Sequence, residues 1–314
     1  MVTGCAGFIG THLVDRVLEG GGAVIGIDSL APTYDSVGRR LQIQRLSENE
    51  HFEFIEGDIN RVDLTELVAD VDVIYHLAAR PGVRASWRDF GTATDANILA
   101  TQKVLDAIAA NPDTRLVFSS SSSVYGSADE FPVPESRPLA PISPYGVTKA
   151  AGEALLSAYA SQFDLSLTSL RYFTVYGPRQ RSDMAFTRWI RCALQGRPLP
   201  IYGDGKAIRD FTYVDDVVTA TLMAGEGIVP GHRIFNVAGG GPVSINEVIE
   251  MISRLLDVEL EVRHSEPSRG DPIRTGGDTS LIEHELSWSP VTPIEQGLRD
   301  QIEWARGVGA QRRP

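Results

Sequence analysis

The chain has 314 residues, 42% of them hydrophobic, with a net charge of −12 and a pI near 5. That length suits one large α/β unit or two lobes around a sizeable core, and the charge has the wrong sign for a nucleic-acid or anionic-membrane surface. Cys5 and Cys192 lack CxxC spacing and read as reduced thiols of a cytoplasmic protein, six scattered histidines argue against a metal site, and neither a signal peptide nor an apolar run of ~18 residues is visible.

In chain order, "MVTG" reads as the end of a strand whose first residues are expected upstream of Met1. "GCAGFIG" then spaces Gly4, Gly7 and Gly10 as GxxGxxG ahead of a helical pattern over Ile9–Leu18. Glycines let a backbone turn tightly and approach a pyrophosphate, which sits at the helix N-terminus. Phe8 and Ile9 belong to the same expected cofactor turn. A strand over Ala23–Asp28 ends in Asp28, 18 residues after Gly10, where a carboxylate can bind the adenosine ribose diol and repel a 2′-phosphate. The pattern predicts NAD rather than NADP; the bland alternative is a tight turn with a capping Asp.

Strands follow at Phe52–Asp58 and Asp72–Ala79. Asp58 with Ile59, and Leu77, Ala78 and Ala79 at the next strand end, are expected to line the adenine and ribose side. Asn97 opens a helical pattern over Asp95–Ala110 and is a candidate for cofactor contact or for simple capping. A strand over Arg115–Ser120 runs into "LVFSSSSSVYG", five serines at the end of an apolar run. The next helical pattern, Tyr145–Phe163, begins in "SPYGVTKAAGE". Tyr145 and Lys149 are four apart there and share a face. A free tyrosine, with a pKa of about 10, is a poor base at neutral pH. A nearby ammonium and an oxidised nicotinamide favour its phenolate; an ordinary surface Tyr/Lys pair is the alternative.

A strand over Leu165–Tyr172 ends the alternation, which implies an α/β fold with a Rossmann-type doubly wound parallel sheet. Beyond Arg171 the rhythm breaks into Pro, Gly and scattered arginines. The expected division is a dinucleotide-binding unit over residues 1–170 and a smaller substrate lobe, mainly 171–314. No linker separates the two, so they are expected to interleave. The paired acids Asp215 and Asp216 are assigned to capping the helix "VVTATLMAG" rather than to a metal.

"VTGCAGFIG", "YHLAA", "SSSSSVYG", "SPYGVTK", "RYFTVYGPRQR", "GDGKAIRDFTYVDDVV" and "RGDPIRTGGD" resemble, almost end to end, the extended short-chain dehydrogenase/reductases, and among them the nucleotide-sugar epimerases and dehydratases. The resemblance implies an isomerase holding NAD tightly through one cycle of reduction and reoxidation. It makes Tyr145 the catalytic base, Lys149 its partner, and Ser121 the hydroxyl that binds the sugar O4. Ser122 and Ser123 stand where similar 4,6-dehydratases carry Asp and Glu, and Ser123 where decarboxylating relatives carry Glu. A serine neither protonates a departing O6 nor removes the C5 proton efficiently.

Neutral hydroxyl donors suit a carboxylate at C6 instead. Oxidising C4 of a glucuronate creates a β-keto acid, which loses CO2 when the C5–carboxylate bond aligns with the carbonyl π system. Hydrogen bonds to a carboxylate contribute about 1.5–3 kcal/mol each, enough for Ser122 and Ser123 to clamp it out of alignment. Ser119 and Ser120 are assigned to strand-end backbone groups. Thr174, where many UDP-hexose epimerases carry Asn, adds a hydroxyl, and "TVYGPRQRSDMA" resembles the UDP-glucuronate 4-epimerase subgroup.

The expected reaction is C4 epimerisation of a UDP-sugar through a 4-keto intermediate, UDP-glucuronate first. The alternatives are a UDP- or dTDP-glucose 4-epimerase, a UDP-glucuronate decarboxylase and a non-catalytic NAD-binding scaffold. Arg209 and Arg269 match the family's diphosphate-binding arginines, whose planar forks suit phosphate oxygens; Arg179, Arg181 and Arg188 are further candidates. Tyr202 in "LPIYGDG" matches the segment beside the nucleobase. The helical patterns at Asp95–Ala110 and Tyr145–Phe163 carry apolar residues on more than one face, and in this family such helices pair as the four-helix bundle of a homodimer. The alternative is burial of both within one chain.

Overall fold

In the computed structural model, which describes residues 1–31, 36–266 and 270–311, seven strands form one central sheet. They are β1 (Val2–Thr3), β2 (Val24–Asp28), β3 (Phe52–Glu56), β4 (Val73–His76), β5 (Arg115–Ser121), β6 (Ser166–Tyr172) and β7 (Gly231–Val237). Their spatial order is β7-β6-β5-β4-β1-β2-β3, and every neighbouring pair is parallel. Strands buried on both faces read as near-continuous apolar runs, and all seven residues of β6 are buried. The order reverses between β1 and β4, so a crevice opens beyond their carboxyl ends.

The expected helices form with small shifts at their ends: Phe8–Glu19, Asp95–Ala109 and Pro144–Gln162. The middle one begins with a π-helical turn over Asp95–Leu99. The last starts cleanly because the Ser143 hydroxyl accepts from the Gly146 amide at 3.1 Å and Pro144 takes the first helical position, where no N–H is needed.

The assignment of Asp215 and Asp216 is corrected, and the break after Arg171 is itself interrupted: β7, "GHRIFNV", pairs residue for residue with β6, from Gly231 opposite Ser166 to Val237 opposite Tyr172. The 170/171 boundary therefore falls inside β6, and a later segment completes the sheet. Asp215 and Asp216 occupy the first turn of the helix Val214–Ala224, while Tyr213 is the cap residue. Asp216 instead accepts from the Thr292 amide at 3.1 Å and ties the C-terminal segment down.

The remaining C-terminal elements are short strand pairs, 174–176 with 211–213, 199–202 with 262–265 and 208–209 with 243–244, packed among helices. Their core is aromatic, with Phe186 ring-on-ring against Phe211 (4.6 Å) and Tyr176 (5.2 Å). These pieces stand over the carboxyl edge of the sheet and supply one wall of the crevice.

Candidate active site

A cavity of about 610 Å³ fills the crevice. Gly4, Gly7, Phe8, Ile9 and Gly10 line one end, with Asp28, Asp58, Ile59 and the β4 exit Leu77–Ala79 around them. Ser119 to Ser123, Tyr145, Lys149, Thr174 and Arg181 line the other end. Among the described residues, Asn97, Tyr202 and Arg209 do not line it, and Arg269 lies outside the described residues.

At the first end the backbone sets the shape. Gly4 has a φ of +72°, and a Cβ there would lie 2.8 Å from the Ala78 amide nitrogen. A Cβ on Gly10 would lie 2.2 Å from the Gly4 carbonyl oxygen. Both contacts are with backbone, so neither position has room for a side chain. Gly7 caps the helix Phe8–Glu19 without a side-chain bond to it, leaving the first turn's amides directed at the cavity, as a pyrophosphate requires. This cradle fits a dinucleotide.

The Asp28 carboxylate accepts from the Ala6 amide (3.1 Å) and the Leu30 amide (2.9 Å). It also pairs with the Arg39 guanidinium, which donates to the Ala31 carbonyl at 2.9 Å. Arg39 lines the cavity beside Asp28, so the carboxylate expected to repel a 2′-phosphate is already ion-paired. Arg39 sits eleven positions downstream in a basic helix, and no spacing rule points to it.

Asn97 corrects an expectation. Its side chain is buried and turned into the protein, where Oδ1 accepts from the Arg80 amide (2.7 Å) and Nδ2 donates to Thr148 Oγ1 (2.9 Å). It fastens the loop after β4 to the helix Pro144–Gln162 and stands behind the cofactor wall.

At the other end Tyr145 and Lys149 lie on one face of that helix and are both enclosed by protein. The Tyr145 hydroxyl is hydrogen-bonded to Ser121, and its amide donates to Ser86 Oγ at 3.0 Å. Burial raises the Tyr145 pKa above the ordinary phenol value, while the Ser121 bond and the positive charge of Arg181 pull it back. Lys149 donates to the Ser119 carbonyl at 2.6 Å and lies 4.8 Å from the centre of the Phe118 ring. Burial lowers its pKa to about 7, with Glu153 acting to raise it. His76 on β4, bonded to Thr3 (2.8 Å) and Thr101 (3.2 Å), is pushed down to about 3 by burial and by Lys149, and is neutral.

The serine run divides differently from the expectation. Ser121 ends β5 and caps a turn of 3₁₀ helix over Ser122–Val124, accepting from the Ser123 amide at 3.2 Å; its hydroxyl donates to Ser123 Oγ at 3.1 Å. Ser119 contributes its carbonyl to Lys149. Ser120 is expected at backbone groups, but its hydroxyl donates to the Glu153 carboxylate at 2.5 Å. The reason is tertiary: alternation along β5 turns Ser120 toward the helix Pro144–Gln162, where Glu153 is buried. Thr174 and Arg181 complete this wall, and Arg181 is held by Asp183 through two bonds of 2.9 Å. Sequence reasoning missed Asp183; its position two residues after Arg181 was the available signal.

Of the expected nucleotide groups that are described, Arg181 lines the cavity, whereas Arg209, Tyr202 and Arg179 lie outside it. Arg209 is 11% exposed and occupied by Asp271 (2.6 Å) and by the carbonyls of Ile208 (2.8 Å) and Ile273 (3.3 Å). Tyr202 is exposed, and one ring face is covered by the Arg84 guanidinium, 3.6 Å from the ring centre. Arg179 pairs with Asp15 at 2.6 Å, away from the cavity. Among the described residues no group of three or more His, Cys, Asp or Glu side chains is gathered to hold a metal.

The model of the NAD dependent epimerase/dehydratase family matches residues 1–238. A Bacillus subtilis (strain 168) protein described as an uncharacterized UDP-glucose epimerase is 40% identical over 308 residues, covering 97% of this chain and 96% of that one. A UDP-glucuronate 4-epimerase of Thermodesulfobacterium geofontis is 34% identical over 98% of this chain and 95% of its own. Among solved structures, the UDP-glucuronic acid 4-epimerase of Bacillus cereus in complex with UDP-glucuronic acid and NAD superposes with a TM-score of 0.93, at 39% identity over 98% of each chain.

Proposed function

We infer that this chain, which belongs to the NAD dependent epimerase/dehydratase family, epimerises UDP-glucuronate at C4 to give UDP-galacturonate. The observation that carries the substrate is the wall facing Tyr145: Ser121, Ser122, Ser123 and Thr174 present hydroxyls and Arg181 a guanidinium, with serines where an acid would drive dehydration. The solved Bacillus cereus relative, with UDP-glucuronic acid and NAD, supports the same reading.

In this reading Tyr145 takes the proton of the 4-hydroxyl, Ser121 holds O4, and the Lys149 ammonium stabilises the phenolate. Gly4, Gly7 and Gly10 would cradle NAD, with Asp28 at its ribose, and the bound cofactor would supply the hydride acceptor and donor for C4. The 4-keto sugar turns within the cavity and Tyr145 returns the proton. Ser122, Ser123 and Thr174 hold the carboxylate away from alignment with the C4 carbonyl while it exists, and Arg181 exchanges Asp183 for that carboxylate.

The test is NMR of UDP-glucuronate incubated with the enzyme. UDP-galacturonate without UDP-pentose is the expected outcome; conversion of UDP-glucose alone would overturn the substrate. The Bacillus subtilis relative favours this second reading, a neutral-hexose epimerase in which the serines bind a 6-hydroxyl. The double variant Ser122→Ala, Ser123→Ala separates the two. A carboxylate clamp predicts UDP-pentose appearing and affinity falling by about tenfold, the effect of one charge-assisted bond, whereas a hydroxyl site predicts neither. A scaffold that only binds NAD would show no NADH absorbance near 340 nm on adding substrate.

The sequence and composition support two further parts of the reading. The chain pairs as a homodimer through the helices 95–109 and 144–162, where Leu99 and Val147 are 47% and 43% exposed, with Phe163, 45% exposed, just past the second helix. It works in the cytoplasm, in keeping with its two free cysteines; no described helix is long and apolar enough to cross a membrane.

A further inference from the structure

The most deeply buried ion pair among the described residues lies behind the reacting groups. Glu153 follows Lys149 by four residues on the same helix, and Arg171 belongs to β6; their side chains are 4% and 3% exposed. Arg171 grips the carboxylate with two bonds, Nε to Oε1 at 2.9 Å and Nη2 to Oε2 at 2.7 Å. Oε1 also accepts from Ser120, one residue before Ser121. The free side of Arg171 donates to the Tyr125 hydroxyl (2.8 Å) and the Glu135 carbonyl (3.0 Å). Tyr125 in turn donates to Asn236 on β7 at 2.7 Å. Every strong donor and acceptor is matched, as a buried network requires. A buried ion pair adds little stability over apolar packing of the same volume, so stability alone does not account for it.

We propose that the Glu153–Arg171 pair is the positioning device of the reaction centre, holding the end of β5 through Ser120 and the ammonium of Lys149 in register with Tyr145. This rests on the reading of Tyr145 and Lys149 as the reacting pair. Glu153 is a positioning residue, since it touches neither the cavity nor a reacting atom. Its charge matters because Lys149 is wholly enclosed and would shed its proton without compensation. The groups around that ammonium are few. The Ser119 carbonyl and the Phe118 ring face it from β5, and neutral His76 faces it from β4. Tyr145 and Glu153 share its helix. Arg171 on β6 fixes Glu153, and Arg181 acts on Tyr145 from beyond β6. The charge of Glu153 opposes the loss of the Lys149 proton that burial favours, and Arg171 moors that carboxylate in the interior.

The chain has three lysines, Lys103, Lys149 and Lys206, so ¹³Cε-lysine NMR of the NAD-loaded protein follows Lys149 directly, with Lys149→Met for assignment. In wild type the midpoint is expected near neutrality. In Glu153→Gln, Arg171→Gln, which removes both charges together, it falls by about one unit or more. The alkaline limb of the epimerisation rate moves with it, so kcat at pH 8 drops about tenfold with little change in KM. Ser120→Ala keeps both charges and leaves the midpoint in place. An unmoved midpoint in the folded, NAD-binding double variant would overturn the proposal, as would an equal shift in Ser120→Ala. If the double variant does not fold, wild type still decides: a Lys149 midpoint well below neutrality overturns the charge role. The midpoint is read without sugar, so a wild type that fails to turn over UDP-glucuronate counts against the proposed substrate and leaves the pair's role standing or falling on its own measurement.

Discussion

At the cofactor end of the crevice the ligand-facing groups are backbone: the turn Gly4–Gly10, the first amides of the helix Phe8–Glu19 and the exit of β4. At the other end the cavity is lined by side chains, the hydroxyls of Ser121, Ser122, Ser123 and Thr174 and the Arg181 guanidinium, and the candidate nucleotide groups Arg209 and Tyr202 lie beyond it. Arg181 lies on Asp183, Arg209 on Asp271, and Arg84 over Tyr202. The first end is shaped before any ligand arrives and loses little order on binding. Under the proposed function the second end exchanges protein partners for phosphate and carboxylate, so each new contact there is offset by one given up. A pyrophosphate cradle of fixed shape suits a cofactor retained through the cycle. Exchangeable ion pairs suit a substrate that must also leave, because net affinity is the difference between two similar contacts.

The sharpest way to break this contrast is Gly10→Ala. Its Cβ meets the Gly4 carbonyl at 2.2 Å, and a contact with backbone cannot be relieved by a rotamer change. NAD binding, followed by calorimetry, is expected to weaken more than about 100-fold, in line with several kcal/mol of clash. Retention of wild-type affinity would mean that the turn is adaptable after all. At the other end the effects are smaller and have opposite signs. Arg209→Gln is expected to raise the KM for the UDP-sugar about tenfold, the loss of one charge-assisted phosphate contact. Asp271→Asn frees Arg209 from its present partner and is expected to lower KM by about two- to threefold, the scale of a partly exposed ion pair. If Asp271→Asn raises KM instead, Asp271 orients Arg209 rather than competing for it, and the exchange picture fails at that residue.

Much of the cofactor end was legible because its information is local. Glycine spacing, a strand before it, a helix after it and an acid at the end of β2 are all features of consecutive residues. The shared face of Tyr145 and Lys149 was legible for the same reason, since residues four apart on a helix must share a face. The limits appear where a residue's partner is remote. Asn97 carries the right chemistry for a ligand, yet its amide is taken up by Arg80 and Thr148. Ser120 looked like a strand-end hydroxyl, and Glu153, 33 positions away, claims it. Arg209 and Tyr202 carry suitable groups, but their present partners Asp271 and Arg84 are brought to them by chain folding from 62 and 118 positions away.

By itself, the sequence determined the alternation of strand and helix, the dinucleotide turn, the Tyr145–Lys149 face and the hydroxyl character of the wall after β5. Each follows from backbone geometry acting over a few residues, which no tertiary contact has to supply. Only the tertiary structure decided that β7 completes the sheet, that Arg39 neutralises Asp28, and that Glu153 and Arg171 lie beneath the serines. A buried charge is tolerable only where a partner and hydrogen-bond donors converge on it. That convergence is a property of the packed sheet and the helix lying across it, and no stretch of sequence contains it.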